Sequence, residues 1–369
     1  MIMWYTYFLI AALLLAAELV YFKIADHFNI IDKPNERSSH STIVLRGGGV
    51  IFSLSMIVWA VMMAVQGNDI RPYLPFLCGL VMICLVSFWD DIHSLPDSVR
   101  MVVQIVSTLL MFWSVGLYSA FDSWVWMVVV AAVALFFCVG ATNIINFMDG
   151  INGITAGYAL AMLVPLLAVQ GSRLASPTVD ATRQCSSELG TVLAAPTVQG
   201  FIEPSYLVVA IIGVLVFSIF NFRPKGKAKC FAGDVGSIGI AFIILFALGR
   251  LMLLTKDVTY IVFFLVYGID GSLTIFHRIL LHENLGQAHR KHAYQLMANE
   301  LKMSHVAVSL LYMAMQLVVS LGFIYLCPDT VLAHWIYLVA AGIVLAVAYV
   351  LFKMKYYHLH EEYLKSLEK

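Results

Sequence analysis

Eleven stretches of about twenty mostly apolar residues dominate this chain, and each is long enough to cross a bilayer as a helix. They cover 4–24, 47–66, 73–89, 101–118, 124–145, 153–170, 204–220, 237–255, 259–279, 305–326 and 332–352. Apolar residues make up 61% of the sequence and charged residues 12%, with mean hydropathy +0.89. A soluble domain carries about a quarter charged residues. The expected fold is therefore an all-α polytopic membrane protein with about eleven transmembrane helices. Residues 1–369 read as a single integral membrane domain, and 171–203, rich in Ser, Thr, Ala and Pro, as an external loop. The first span has no basic n-region and no small-residue cleavage site, so it is expected to stay as an anchor.

Lys and Arg set the expected orientation, because cytoplasmic loops retain them. With the N-terminus outside and the C-terminus cytoplasmic, 17 of the 22 fall inside, 4 outside and Arg250 within a span. The zero net charge thus conceals a basic cytoplasmic face, suited to anionic headgroups and anionic substrates. The six cysteines show no metal-ligand spacing. Cys185 and Cys327 are both expected outside, which permits a pairing but is weak evidence for one.

Four polar clusters end or open apolar spans on that cytoplasmic face. Asp90-Asp91 closes the third span. Adjacent helical side chains point about 100° apart, so the two carboxylates are expected to serve different partners. Asn143, Asn146 and Asp149 recur every third residue at the inner end of the fifth span, an arrangement suited to hydroxyls, an imide edge or a hydrated cation. Phe231-Ala-Gly-Asp234-Val-Gly-Ser237 opens the eighth span. There a helix N-terminus favours phosphate, and Asp234 offers a hard oxygen to Mg2+. His289-Arg290-Lys291-His292 supplies donors for a diphosphate but too few ligands for zinc. Each has a plainer reading as a solvated helix end, a polar helix contact, an N-cap or a positive-inside anchor. Their convergence on one face outweighs those readings, since carboxylates beside spanning helices are costly. Arg46-Gly-Gly-Gly49 is a weaker signal, glycine being common at close helix contacts. Asp270, deeper in the ninth span, is left unassigned.

Taken together with Asp32-Lys33-Pro34-Asn35-x-Arg37-x-x-His40, these motifs resemble the polyprenyl-phosphate N-acetylhexosamine-1-phosphate transferases. These are the glycan-initiating relatives of phospho-N-acetylmuramoyl-pentapeptide transferase. The resemblance runs from about Asp32 to about Gln295. It implies transfer of an N-acetylated sugar 1-phosphate from a UDP-sugar to undecaprenyl phosphate, releasing UMP, with Mg2+ or Mn2+, at the cytoplasmic side of a bacterial inner membrane. By motif position it implies that Asp234 is the metal ligand and that Asp90 and Asp91 are the catalytic pair. It further implies that Asn143, Asn146, Asp149 and Phe231 form the nucleotide pocket, and that Lys33, His40, His289 and His292 contact phosphate. Partners are then the UDP-sugar, undecaprenyl phosphate and the bilayer, with no nucleic acid; a homodimer is left open. Two departures stand out. Asn152 occupies a place where many relatives carry aspartate, and the late loop has fewer imidazoles than those of the peptidoglycan and common-antigen enzymes. That loop, with Ala293-Tyr294-Gln295 after it, is expected to form a less polar wall favouring a 6-deoxy or C4-modified donor. The alternatives are a peptidoglycan-type enzyme and a secondary transporter. A transporter is disfavoured because the acids sit at helix ends and no internal repeat is visible.

Overall fold

A computed structural model of the chain describes residues 4–32, 43–171, 200–284 and 289–367. Each of the eleven apolar stretches forms a helix: α1 (Trp4–His27), α2 (Val50–Val65), α3 (Leu74–Ile92), α4 (Asp97–Val115), α5 (Trp124–Phe147) and α6 (Ile154–Gln170), followed by α7 (Pro204–Asn221), α8 (Gly233–Thr255), α9 (Leu265–Leu280), α11 (His305–Tyr325) and α12 (Val331–Leu367). A short helix, α10 (Ala293–Asn299), precedes α11. Among the described residues nine helices are long and apolar enough to span a bilayer, α9 counting with the 3-10 turns Val258–Phe264 that lead into it, while α2 and α6 are shorter, at 16 and 17 residues. The protein is an all-α, multi-pass membrane protein. Two-residue strands β1 (Ile31–Asp32) and β2 (Val44–Leu45) pair antiparallel just before α2 and are a small addition to the expected all-helical content.

Helix α8 is the axis of the bundle and packs against α2, α3, α4, α5 and α6. It is apolar all round, and nearly every residue from Gly233 to Leu251 is buried, as a helix enclosed by others must be. Hydrophobic burial cannot drive helices together in lipid, so close van der Waals packing has to, and small residues permit it. Gly49 at the start of α2 meets Gly236 on α8: a methyl group at Gly49 would lie 2.3 Å from Gly236 Cα and 2.8 Å from the Ala232 carbonyl oxygen. Neither contact is a side chain that can swing away. Gly49→Ala is therefore expected to force α2 off α8, lower the melting temperature of the purified protein by several degrees and cost about 2 kcal/mol or more. A variant that melts with wild type would show that the two helices slide past each other freely.

The observed ends differ from the expected ones where function is concerned. Helix α3 continues through Asp90 and Asp91, and α8 begins at Gly233, four residues before the apolar stretch at 237, so Asp234 lies in its first turn. Helix α12 runs 37 residues, far past the apolar stretch ending at 352. At 1.5 Å per residue this is about 55 Å, so roughly its last third projects beyond any bilayer. From Lys353 onward the helix packs on the loop before α10 and on the end of α10: Lys353 Nζ donates to the Lys291 carbonyl, Arg290 lies 4.7 Å over the Tyr363 ring, and His360 Nδ1 is 3.1 Å from Glu300 Oε1. Cys185, expected to pair with Cys327, lies outside the described residues; among the described residues no two cysteines are joined.

Candidate active site

The end of α3, the starts of α4 and α8, the end of α5 and the turn before α2 meet at one side of the bundle. Four-residue linkage between α3 and α4 brings Arg100, in the first turn of α4, back over Asp90. Arg100 Nη1 is 3.2 Å from Asp90 Oδ2, and Nη2 is 3.0 Å from Asp234 Oδ2. Arg46 closes the other side: Nε is 2.7 Å from Asp91 Oδ1, and Nη2 is 3.6 Å from Asp234 Oδ1. Two backbone features aim Arg46. The β1–β2 pair holds the chain before it, and Gly47, at φ +80°, turns the chain sharply into α2. The Tyr21 hydroxyl donates to the Arg46 carbonyl at 2.6 Å.

Asp90 and Asp91 serve different partners, as their helical spacing requires. Asp90 Oδ1 accepts the Leu95 N–H at 2.6 Å, leaving Oδ2 for Arg100. Asp91 has no exposed side-chain surface; its oxygens accept the Asp234 N–H (2.9 Å) and Val235 N–H (3.1 Å). Asp91 thus caps α8 from another helix, using the positive end of that helix and the orphan amides there. Gly233, at φ +69°, makes this approach geometrically open: a side chain there would strike Asp91 Oδ2 and the Gly47 nitrogen. Asp234 is the most exposed of the three acids, at 16% of its side chain against 7% for Asp90. Asn146 Nδ2 reaches Asp234 Oδ1 at 3.1 Å and Ser237 Oγ at 2.9 Å.

The remaining expected site residues divide. Asp149 sits just past α5, and Thr155 Oγ1 donates to its Oδ1 at 2.6 Å. Burial, outweighing that hydrogen bond and reinforced by the charge of Asp234, pushes its carboxyl group up to about 6. The fraction ionised then falls about tenfold between pH 8 and pH 5. If the ionised form accepts donors from the substrate, KM for the nucleotide substrate should rise by about the same factor, and Asp149→Asn should flatten that rise. An unchanged slope in the variant would remove Asp149 from the pocket. Asn143, one turn earlier on α5, turns away from the acids: its amide donates to Gln104 Oε1 on α4 and to the Val139 carbonyl, both at 2.8 Å. A step of three residues leaves a helix face by about 60°, enough to send Asn143 to α4 while Asn146 faces α8. Phe231 is fixed through its backbone, its N–H on the Leu45 carbonyl and its carbonyl on the Gly48 N–H, at the threshold of α8. Lys33 and His40 lie outside the described residues.

The late loop is more occupied by the protein than a solvated basic loop. Lys291 pairs with Glu283, and His292 is buried with Nδ1 3.2 Å from Asp270 Oδ1. Burial, with the nearby charges of His292, Arg278 and Lys291, drives the His289 imidazole down to about 3, so it is a neutral ring at pH 7. Ala293, Tyr294 and Gln295 are buried, and the Tyr294 hydroxyl donates to the Phe147 carbonyl at 3.1 Å. These three residues pack into the bundle. Tyr294 does tie the late loop to the α5 end that carries Asn146 and Asp149. Asn152 donates both amide hydrogens, to the Arg223 and Pro224 carbonyls at 2.9 and 3.0 Å. A carboxylate there would face two carbonyl oxygens with no donor, a physical reason for the amide at this position.

Arg46 and Arg100 emerge from the structure as site residues. In sequence Arg46 stood only as the head of a weak glycine motif, and Arg100 as one inside positive charge. The usable signal was the proximity of Arg100 to Asp90-Asp91 across a linkage too short for anything but a reversal. The donor chemistry fits a hard divalent cation. Asp234 offers carboxylate oxygens at a partly open helix start with Asp90 beyond Arg100. Among the described residues no three His, Cys, Asp or Glu side chains are grouped as a metal cage. Mg2+ suits that arrangement, since it uses one or two carboxylates, waters and substrate phosphate.

Comparison with known proteins places this geometry in context. The profile of glycosyl transferase family 4 matches residues 73–252, the stretch from the start of α3 through most of α8. The chain is 26% identical over 293 residues to a probable undecaprenyl-phosphate N-acetylglucosaminyl 1-phosphate transferase of Bacillus subtilis, covering 75% of this chain and 72% of that protein. It is 23% identical over 217 residues to the phospho-N-acetylmuramoyl-pentapeptide-transferase of Staphylococcus carnosus, and 24% over 245 residues to that of Thermotoga petrophila. The matched stretches span 59% and 66% of those two relatives.

Proposed function

Because residues 73–252 match the profile of glycosyl transferase family 4, we propose that this chain transfers an N-acetylated sugar 1-phosphate from a UDP-sugar to undecaprenyl phosphate, releasing UMP. The observation that carries this reading is the meeting of Asp90, Asp91 and Asp234 with Arg46, Arg100 and Asn146 at one end of five packed helices. The lipid phosphate oxygen attacks the phosphorus attached to the sugar; the anhydride bond breaks, and UMP leaves with its electron pair. A phosphate monoester has its second pKa near 6, so the nucleophile is already mostly dianionic at pH 7 and needs no strong base. The obstacle is bringing two anions together. Arg46 and Arg100 are planar donors matched to phosphate oxygens and are held in place by their acids. Burial works against the charge on Arg46, but Asp91 and Asp234 more than offset it and hold the guanidinium more firmly protonated than usual. Mg2+ on Asp234, when bound, supplies further charge neutralisation on the diphosphate. Asp90 orients Arg100 and is the acid of the pair nearest to reaching the lipid phosphate. Asn146 and Asp149 border the nucleotide, with His289 and His292 on the phosphate side.

The site is proposed to face the cytoplasm, supported by the Lys and Arg asymmetry. One experiment tests reaction and sidedness together. Inverted membrane vesicles given undecaprenyl phosphate, Mg2+ and UDP-N-acetylglucosamine should release UMP. Sealed right-side-out vesicles should not, because the nucleotide sugar cannot cross. UMP release only from the right-side-out vesicles would reverse the orientation; no release from either, with a panel of UDP-N-acetyl sugars, would overturn the reaction. UDP-N-acetylmuramoyl-pentapeptide belongs in that panel, given the two relatives of that name.

A further inference from the structure

Asp270 lies on α9 among apolar residues, and nothing in the proposed reaction uses it. Its side chain is buried and accepts three donors, the Tyr312 hydroxyl at 2.5 Å, the Thr274 hydroxyl at 3.1 Å and the Ala293 N–H at 3.2 Å, and His292 Nδ1 lies 3.2 Å from the same oxygen as the last two. A carboxylate inside a membrane helix is costly and marks a functional place by default. Here it joins three elements. Tyr312 comes from α11, Thr274 from α9 itself, and His292 with Ala293 forms the entry to α10. His292 is the N-cap of α10, with its backbone N–H 3.3 Å from Gln295 Oε1, so fixing the ring also fixes that helix start. The ring lies between His289, with centroids 5.0 Å apart, and Tyr294, at 5.7 Å.

The two nitrogens of His292 are treated differently. Nδ1 is committed to Asp270, whereas Nε2 is buried with no hydrogen-bond partner among the described residues. A buried polar atom left without a partner costs about 1–3 kcal/mol, which a ligand can recover. We propose that Asp270 is a positioning residue for the transfer reaction: it fixes the tautomer and orientation of His292, with the Nδ1 proton toward the carboxylate, so that Nε2, left as an acceptor, meets a hydroxyl or amide N–H on the sugar-phosphate part of the nucleotide sugar. The geometry is that of a carboxylate behind a working imidazole, in which the second group sets which nitrogen carries the proton. Tyr312 holds the far oxygen of Asp270 and so completes a Tyr312–Asp270–His292 chain running from α11 to the late loop. Tyr294, stacked on the ring and bonded to Phe147, keeps that loop against the end of α5.

This inference rests on the proposed function, and a double-mutant cycle separates it from a merely structural role. Asp270→Asn in purified protein should lower kcat for UMP release about tenfold or more, with KM for the UDP-sugar within about threefold. In a His292→Ala background the same change should cost less than about twofold, because the residue it acts through is gone. Equal losses in both backgrounds, in an active wild type, overturn the inference and leave Asp270 as packing. If Asp270→Asn does not fold, Tyr312→Phe enters the same cycle and the same two outcomes decide. If His292→Ala leaves no turnover, the cycle is read on the melting shift induced by UDP-N-acetylglucosamine. A wild type that releases no UMP overturns the proposed function and this inference with it.

Discussion

Asp234→Asn is expected to abolish turnover while leaving the fold intact. The cluster holds three carboxylates against two guanidinium groups, and Asp234 is the most exposed of the acids. An amide still accepts a hydrogen bond from Arg100, and the cap on α8 uses the backbone N–H of residue 234 rather than its side chain. What disappears is the surplus negative charge that would draw a divalent cation to the diphosphate. A loss of at least about a hundredfold in UMP release is expected, equivalent to about 2.7 kcal/mol of transition-state stabilisation. Raising Mg2+ should not restore it. Turnover within about threefold of wild type at limiting Mg2+ would rule Asp234 out as the metal residue, since so small a loss is under ~1 kcal/mol.

Asp91→Asn should be the more damaging of the two adjacent changes, and its damage should appear first in stability. Asp91 is wholly enclosed and receives the Asp234 and Val235 amides together with Arg46. An amide in its place turns one acceptor into a donor facing donors, stranding an N–H or leaving the guanidinium without its counter-ion. Breaking a buried ion pair on one side costs about 3–5 kcal/mol. The purified variant should melt well below wild type and release little UMP. Asp90→Asn keeps an oxygen for the Leu95 N–H and loses mainly its charge on Arg100, so it should melt close to wild type and show a loss of rate alone. If the two variants melt at the same temperature, Asp91 is not the brace that holds α8.

The sequence by itself determined the helices and the side of the bundle on which the polar groups gather. Runs of about twenty apolar residues have one solution in lipid, because every backbone amide must be satisfied within its own segment. Placement of the polar motifs at the ends of those runs follows from the same constraint, which expels charge from the bilayer interior. The divergence of Asp90 from Asp91 was also legible, being a property of the helix alone.

Tertiary structure decided which partners those side chains take. Asn143 and Asn146 look equivalent in sequence, yet one faces Gln104 on α4 and the other Asp234 on α8. The answer depends on which helices flank α5, here α4 and α8, and no local pattern in the sequence specifies that. Arg46 and Arg100 read as two more inside positive charges until folding set both beside Asp234, 188 and 134 residues away in the chain — a pairing that only the packing of α2, α4 and α8 creates. Asp270 was unreadable for the same reason. A carboxylate in an apolar helix acquires its meaning from donors on other elements, here Tyr312 and His292, and the approach of those elements is a property of the folded bundle.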